Sequence, residues 1–372
     1  MKILILSSTD DPTNGYGNIT RELASYLTGR VDFQLLLPEE EAKNRSRPYT
    51  AERVLPPYIF DLKTPKVFYY ARFNWPARDY DIIHSLFEFP YALIAARLAK
   101  RYRKPLIIST QGTYAIQPLF WRPEKWFVKW VYNTAEIITA PSEFTRTNII
   151  KYSGTRTPVR VIHNGVNFER FQDPTDVSVI RRRYLGKKLL LTVGGLKPRK
   201  GHDIVVRALG MLKRKRNDFH YFIIGTGKLE GYLKRLTLEE GLGDNITFCG
   251  QIDGDELVRY FQTCDLYVHT PIVTNWQFEG FGIVYLEASA CAKPIVATDS
   301  GGVRDAVLDG NTGLIVPEGD AIATANAIER ILDNPELAQR LGSQGREYAR
   351  QHAWDIIGNK FIKLYEEVAA KK

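Results

Sequence analysis

The 372-residue chain predicts an α/β fold of two doubly wound domains facing each other across a cleft, closed by a helical tail. Three observations carry that expectation. Short, almost wholly apolar runs of strand length alternate with helical stretches, as in parallel sheets buried on both faces. The alternation starts twice, at Lys2 and again at Lys188. Between the two series, near Phe168–Leu185, the stretch Phe-Gln-Asp-Pro-Thr-Asp breaks the periodicity and marks a joint. The domains are therefore read as 1–170, 171–350 and a tail, 351–372, that can pack back on the first domain.

In chain order, Lys2–Leu6 reads as a buried strand and Asn18–Leu27 as a helix. Met1–Leu6 looks superficially like the start of a signal segment, but Ser7-Ser8-Thr9-Asp10-Asp11 ends the apolar run too soon. Strands follow at Phe33–Leu37 and Ile82–Ile83, then a helix at Tyr91–Lys100 and strands at Leu106–Ser109 and Ile137–Ala140. The second series has strands at Lys188–Val193 and His220–Ile224 around the helix Ile204–Lys213. Shorter strands are expected at Thr247–Cys249, Leu266–His269 and Pro294–Ala297, with helices at Asp255–Gln262 and Ile283–Ala290. From about Ala321 the chain reads as helical, punctuated by Asp333-Asn334-Pro335.

With 44% apolar and 25% charged residues the composition is that of a soluble globular protein, and the apolar runs are too short to be membrane spans. Cys249, Cys264 and Cys291 are odd in number and lack metal-site spacing, so they read as core thiols in a reducing cytosol. His202, His220, His269 and His352 have no partners at metal spacing, and Asp253-Gly254-Asp255 reads as a turn capping the next helix. No essential metal is expected. The net charge of +9 is uneven: residues 1–170 carry 24 Lys/Arg against 16 Asp/Glu, and residues 171–372 carry 27 against 26. A basic first half suits an anionic partner. Trp121–Trp130 leaves two readings open: a surface helix packing its tryptophans inward, or, because Trp126 and Trp130 share a helical face beside Lys125 and Lys129, a helix at a lipid interface. No nucleic-acid recognition motif is present.

The densest chemistry lies in Glu279-Gly-Phe-Gly-Ile-Val-Tyr-Leu-Glu287. If the helix begins near Ile283, the Phe281, Gly282 and Ile283 amides form its unpaired N-terminus, a ready place for phosphate. Glu279 would then stand on the loop before it, and Glu287, a little over two turns on, would face inward. In the first half, Gly15-Tyr16-Gly17 falls between the first strand and its helix, where backbone can approach a ligand. His84 ends a strand and could meet either a substrate or a packed partner.

With these residues in hand, the chain resembles the retaining GT-B glycosyltransferases of family 4 over essentially its whole length. The ordered set runs from Asp265-Leu-Tyr-Val-His269 through the paired glutamates, Lys293-Pro-Ile-Val-Ala-Thr298 and Gly301-Gly302 to Asn311-Thr-Gly-Leu-Ile-Val-Pro317. The resemblance implies two Rossmann-like domains and transfer of a hexosyl group from a UDP- or GDP-sugar. The acceptor would be a glycan, glycolipid or polyprenyl-linked molecule, and no cofactor beyond the donor is implied. Glu279 would contact the donor sugar, Lys200 and Arg199 the diphosphate, and Glu287 the ribose. The amides of Phe281, Gly282 and Ile283 and the glycines Gly15, Gly17, Gly225 and Gly227 would line the nucleotide sugar. Gly195 stands where the family often has arginine, and Gln111 where many relatives have histidine. Glutamine donates and accepts hydrogen bonds but carries no charge. An epimerase of the same architecture, or a relative that binds without turnover, stays open. The implied location is cytoplasmic or peripheral at the inner face of the plasma membrane.

Overall fold

The computed structural model describes residues 1–41, 46–58, 70 and 72–371. The chain divides into two compact units, Met1–Gly165 with Trp354–Lys372, and Val166–Ala353. The division thus comes a few residues before the expected joint, and the tail beyond Ala353 belongs to the first unit.

In the first unit seven parallel strands are described: β1 (Lys2–Leu6), β2 (Asp32–Pro38), β3 (Ala51–Leu55), β4 (Ile82–Ser85), β5 (Leu106–Ser109), β6 (Ile137–Ala140) and β7 (Val159–Val161). Their order is β3-β2-β1-β4-β5-β6-β7. The sheet grows outward in both directions from β1 and β4, so the connections diverge between those two strands. Open α/β sheets hold ligands at such a switch point, beyond the carboxyl ends of the strands. The central strands are buried through Ile3, Leu4, Ile5, Ile82, Ile83 and Ile107.

The first helix, Gly15–Leu27, starts three residues before the expected Asn18. Asn14 caps it, its side chain accepting from the Gly17 amide at 2.8 Å. Gly15-Tyr16-Gly17 is therefore the first helical turn and not a loop before it. The final helix, Trp354–Ala370, packs on this one, with Gly358 so close to the Tyr26 ring that a Cβ would lie 2.1 Å from it. Gly165 meets the Trp354 ring in the same way, at 2.7 Å.

The second unit has six described parallel strands: β8 (Lys188–Val193), β9 (Phe219–Ile224), β10 (Ile246–Gly250), β11 (Leu266–His269), β12 (Ile295–Thr298) and β13 (Leu314–Val316). Their order, β10-β9-β8-β11-β12-β13, puts the switch point between β8 and β11. One apolar layer, including Val205, Leu209, Leu236 and Ile328, covers one face of the sheet, and another, including Phe261, Phe281, Tyr285 and Leu286, covers the other. The helix after Asp253 begins at Gly254, and Asp253 makes no side-chain capping bond, so the expected cap is not formed.

Among the described residues no helix is long and apolar enough to cross a membrane. Helix Glu124–Thr134 buries Val128, Val131 and Tyr132 and leaves Trp126 62% and Phe127 42% exposed. Trp130 is half-buried, with Lys100 Nζ 5.9 Å from its ring centre. The two tryptophans are thus in unlike surroundings, and the more exposed one stands in solvent.

Candidate active site

In the second unit the chemistry collects around Glu279, at the switch point. β8 delivers the chain through Gly194-Gly195 to a single 3₁₀ turn, Pro198–Lys200. β11 delivers it through Thr270 to the strap that carries Glu279. The two loops are stitched together: Ile272 N donates to Arg199 O at 2.9 Å and Thr270 Oγ1 to Gly201 O at 2.9 Å. Gly201 has φ +66, and a Cβ there would lie 1.8 Å from Thr270 O, so the approach depends on glycine. Phe278 and Phe281, both buried, anchor the strap on either side of Glu279. Gly302 N donates to Glu279 O at 2.8 Å.

These supports aim three basic side chains at one oxygen. Glu279 Oε2 accepts from Lys200 Nζ at 2.5 Å and from Arg199 Nη1 at 3.2 Å, and His269 Nε2 lies 3.8 Å away. The side chains of Glu279, Lys200 and Arg199 are 12%, 13% and 22% exposed. Burial pushes the Glu279 carboxyl up, but Lys200, His269 and Arg199 together outweigh it and hold the group well below the ordinary carboxylate range. Burial, with the neighbouring Arg199 and Lys197 charges, holds Lys200 below the ordinary lysine value despite the pull of Glu279. His269, fully buried, falls to about 4 for the same reason and is neutral near pH 7. The result is a fixed carboxylate flanked by two poised cations, at a place where an incoming diphosphate would find positive charge and a sugar would find an acceptor of hydroxyl protons.

Of the remaining expected residues of this unit, Gly225 and Gly227 follow β9, the strand beside β8, and Glu287 lies on the helix after Gly282. Gly225, with φ +134, sits after β9 against Gly194, and a Cβ would lie 2.2 Å from Gly194 O; Gly227 packs as closely on Leu196. Helix Ile283–Ala290 starts at Gly282 with no side-chain cap, and Glu287 on it is 7% exposed. A Cβ on Gly195 would make only ordinary contacts, 3.6 Å from Thr226 O. A side chain would fit there, and Arg199 brings its guanidinium to Glu279 from a different loop position.

The first unit holds the other expected residues. Gly17 in the first helical turn has no room for a side chain, because a Cβ would lie 2.0 Å from Asp11 O. Gln111 follows β5. Its backbone N donates to Glu88 Oε2 at 3.0 Å, and its Oε1 accepts from Asn164 Nδ2 at 3.1 Å. Tyr16 stacks near Phe87, ring centres 4.7 Å apart, and Tyr114 lies 6.2 Å from Tyr16. His84 is not available to a ligand: its ring nitrogens pair with Tyr365 Oη and Ser109 Oγ, each at 2.8 Å, and burial lowers it to about 3. Glu88 escaped the sequence reading, although a lone carboxylate in Leu86-Phe-Glu-Phe-Pro90 was a signal that could have found it. Among the described residues no group of three or more His, Cys, Asp or Glu is placed to hold a metal ion.

The family model for glycosyl transferases group 1 matches residues 176–348, and that for glycosyltransferase family 4 matches residues 13–170. The chain is similar to a GDP-mannose-dependent alpha-(1-6)-phosphatidylinositol monomannoside mannosyltransferase of Mycolicibacterium smegmatis, at 31% identity over 285 residues, 74% of this chain and 73% of that one. It is similar also to a D-inositol 3-phosphate glycosyltransferase of Streptomyces avermitilis, at 28% identity over 62% of this chain and 51% of that one. Among solved structures, Anabaena HepE in complex with UDP and glucose superposes with a TM-score of 0.81 at 22% identity, covering 98% of this chain and 99% of that one. Sucrose-phosphate synthase from Thermosynechococcus elongatus superposes with a TM-score of 0.80 at 22% identity over the whole of both chains.

Proposed function

The chain belongs to the family-4 glycosyltransferases of the GT-B fold, and from that premise we propose that it transfers a hexosyl group, with retention of configuration, from a GDP- or UDP-sugar to a glycolipid acceptor. The observation that carries the reading is the convergence of Lys200 and Arg199 on Glu279 at the switch point of the second sheet. Relatives named for GDP-mannose and for phosphatidylinositol monomannoside favour an inositol phospholipid glycan as acceptor.

In this reading the donor diphosphate draws Lys200 and Arg199, and the amides of Phe281, Gly282 and Ile283, just before and at the start of the helix, add donors to the phosphate or sugar. Glu279 accepts from sugar hydroxyls, and Glu287 holds the ribose. As the bond from sugar C1 to the phosphate oxygen breaks, its electron pair goes to that oxygen, where Lys200 and Arg199 neutralise the charge. The acceptor hydroxyl oxygen bonds C1 on the same face and gives its proton to the departing phosphate. Glu279 is a poor candidate for that proton, because a carboxylate held so far below its ordinary range is a weak base. Gln111 contributes hydrogen bonds and no charge. Acceptor recognition falls to the basic first unit. There Trp126 and Phe127, exposed beside Arg122 and Lys125, suit an anionic lipid surface at the inner face of the plasma membrane.

The test is direct binding of GDP-mannose, UDP-glucose, UDP-N-acetylglucosamine and UDP-galactose to the purified protein and to Glu287→Ala. Tight binding of one nucleotide class, lost in the variant, supports the donor site. No binding by the wild type at millimolar concentration refutes it.

A further inference from the structure

Glu88 combines three features that the fold alone does not require. It lies just past the carboxyl end of β4, beside the first turn that follows β1, so it stands at the switch point of the first sheet. It is 4% exposed, yet only one of its oxygens is used by a neighbour: Oε2 accepts the Gln111 amide at 3.0 Å, and buried Oε1 has no hydrogen-bond partner among the described residues. Gln111, the residue it holds, precedes Gly112, whose φ of +122 turns the chain into the short helix carrying Tyr114. A carboxyl group kept in such a place costs free energy, and an apolar residue would pack without that cost.

We propose that Glu88 is a positioning residue for sugar transfer, acting through Gln111, whose backbone it ties to the end of β4. The proposal rests on the glycosyltransferase reading above. Burial raises the Glu88 carboxyl to about 8, against the pull of its own amide and that of Gln111. Near pH 7 it is therefore mainly a neutral acid, with one oxygen accepting from Gln111 and a proton on the other. The Glu88 charge is felt by the phenols of Tyr58, from the segment after β3, and Tyr132, from helix Glu124–Thr134. Both are held above the ordinary phenol range, so neither titrates near pH 8. Ionisation of Glu88 strengthens its bond from the Gln111 amide but leaves Oε1 charged, buried and without a donor among the described residues, a cost relieved by opening the turn to water.

The experiment compares wild type, Glu88→Gln and Glu88→Ala in release of GDP from GDP-mannose with phosphatidylinositol vesicles as acceptor, from pH 6 to 9.5. Hydrogen exchange of residues 106–116 is followed in parallel on the free proteins. The expected result is a wild-type kcat that falls above about pH 8. Glu88→Gln keeps kcat within about threefold at pH 7 and loses the alkaline fall, because its amide oxygen still accepts from Gln111 and cannot ionise. Glu88→Ala loses about tenfold or more in kcat with donor KM within about twofold, and exchanges faster over 106–116 at every pH. Glu88→Ala with unchanged kcat, or Glu88→Gln with the wild-type alkaline fall, overturns the proposal. If wild type releases no GDP here and binds none of the four nucleotide sugars tested above, the functional reading fails instead. Exchange then decides for Glu88 alone: equal protection of 106–116 in wild type and Glu88→Ala sinks it.

Discussion

Replacing Glu279 with alanine leaves Lys200 and Arg199 side by side with no carboxylate between them. At an effective dielectric of about 20, the contacts of 2.5 and 3.2 Å correspond to Coulomb attractions of about 7 and 5 kcal/mol. Most of that offsets the desolvation of three largely buried charges. What the substitution measures is the cost of the cations left unpaired, about 3–5 kcal/mol for a buried pair. Lys200 and Arg199 retain some solvent, so the lower end, about 3 kcal/mol, is expected for the second unit. For a unit of this size that is a fall in Tm of about 6–12 °C. A cycle with Lys200→Met should show non-additivity, because the second substitution removes a charge that the first had stranded. The carboxyl is depressed in the folded state, so its stabilisation is present above the unfolded value, about 4.3, and disappears as pH falls toward the folded one. Wild type and Glu279→Ala should therefore converge in strong acid. Thermal and urea unfolding of the four proteins between pH 3 and 8 reads all of this. Additive losses, or a Glu279→Ala protein as stable as wild type at pH 7, would refute the reasoning.

Other expectations follow from single positions. Gly201→Ala forces a Cβ to within 1.8 Å of Thr270 O at a φ of +66, so the loop must shift; a loss of about 2–3 kcal/mol in urea unfolding and weaker nucleotide binding are expected. Glu88 has the opposite sign from Glu279, because its folded carboxyl is raised to about 8 and its contribution is lost as pH rises through that value. Glu88→Gln should match the wild-type stability near pH 4 and exceed it at pH 8.5, by at most about 5 kcal/mol; equal stability at both pH values would contradict this. Trp126→Ser with Phe127→Ser removes exposed side chains, so stability should change by less than about 1 kcal/mol while sedimentation with anionic vesicles falls. Unchanged vesicle binding would remove the lipid-surface role of this helix.

The strands at the centres of both sheets were legible because burial on two faces leaves runs such as Leu189-Leu-Leu191 almost no polar residues. Of the edge strands, β10 was read at Thr247–Cys249, and β3, β7 and β13 were not. β3, Ala-Glu-Arg-Val-Leu, keeps two charges because one side of it faces no further strand among the described residues, and β7 and β13 are only three residues long. Strand order depends on pairings between distant segments and leaves no local trace. At the site, Lys200 and Glu279 were found through their place in an ordered family pattern; nothing local in either segment says that residues 79 apart would touch. Arg199 was expected at the diphosphate, and its guanidinium hydrogen-bonds Glu279, a contact the sequence did not suggest. Glu88 went unread because its meaning lies in its burial beside Gln111, which neither segment reveals alone.

The return of the final helix to the first unit has a consequence for the order in which the protein assembles. Val166–Ala353 is one unbroken stretch and carries everything needed for its own sheet. The first unit is split: Tyr26, His84 and Gly165 await Gly358, Tyr365 and Trp354 respectively, which come after the whole of the second unit has been synthesised. Closing contacts over that many residues is slow and carries a large loop entropy. The unit encoded second is thus free to fold first, while the first sheet waits with an uncovered flank for its last helix. Aggregation during synthesis should concentrate on that flank, and a chain cut before Trp354 should keep a cooperative second unit and a loosened first one.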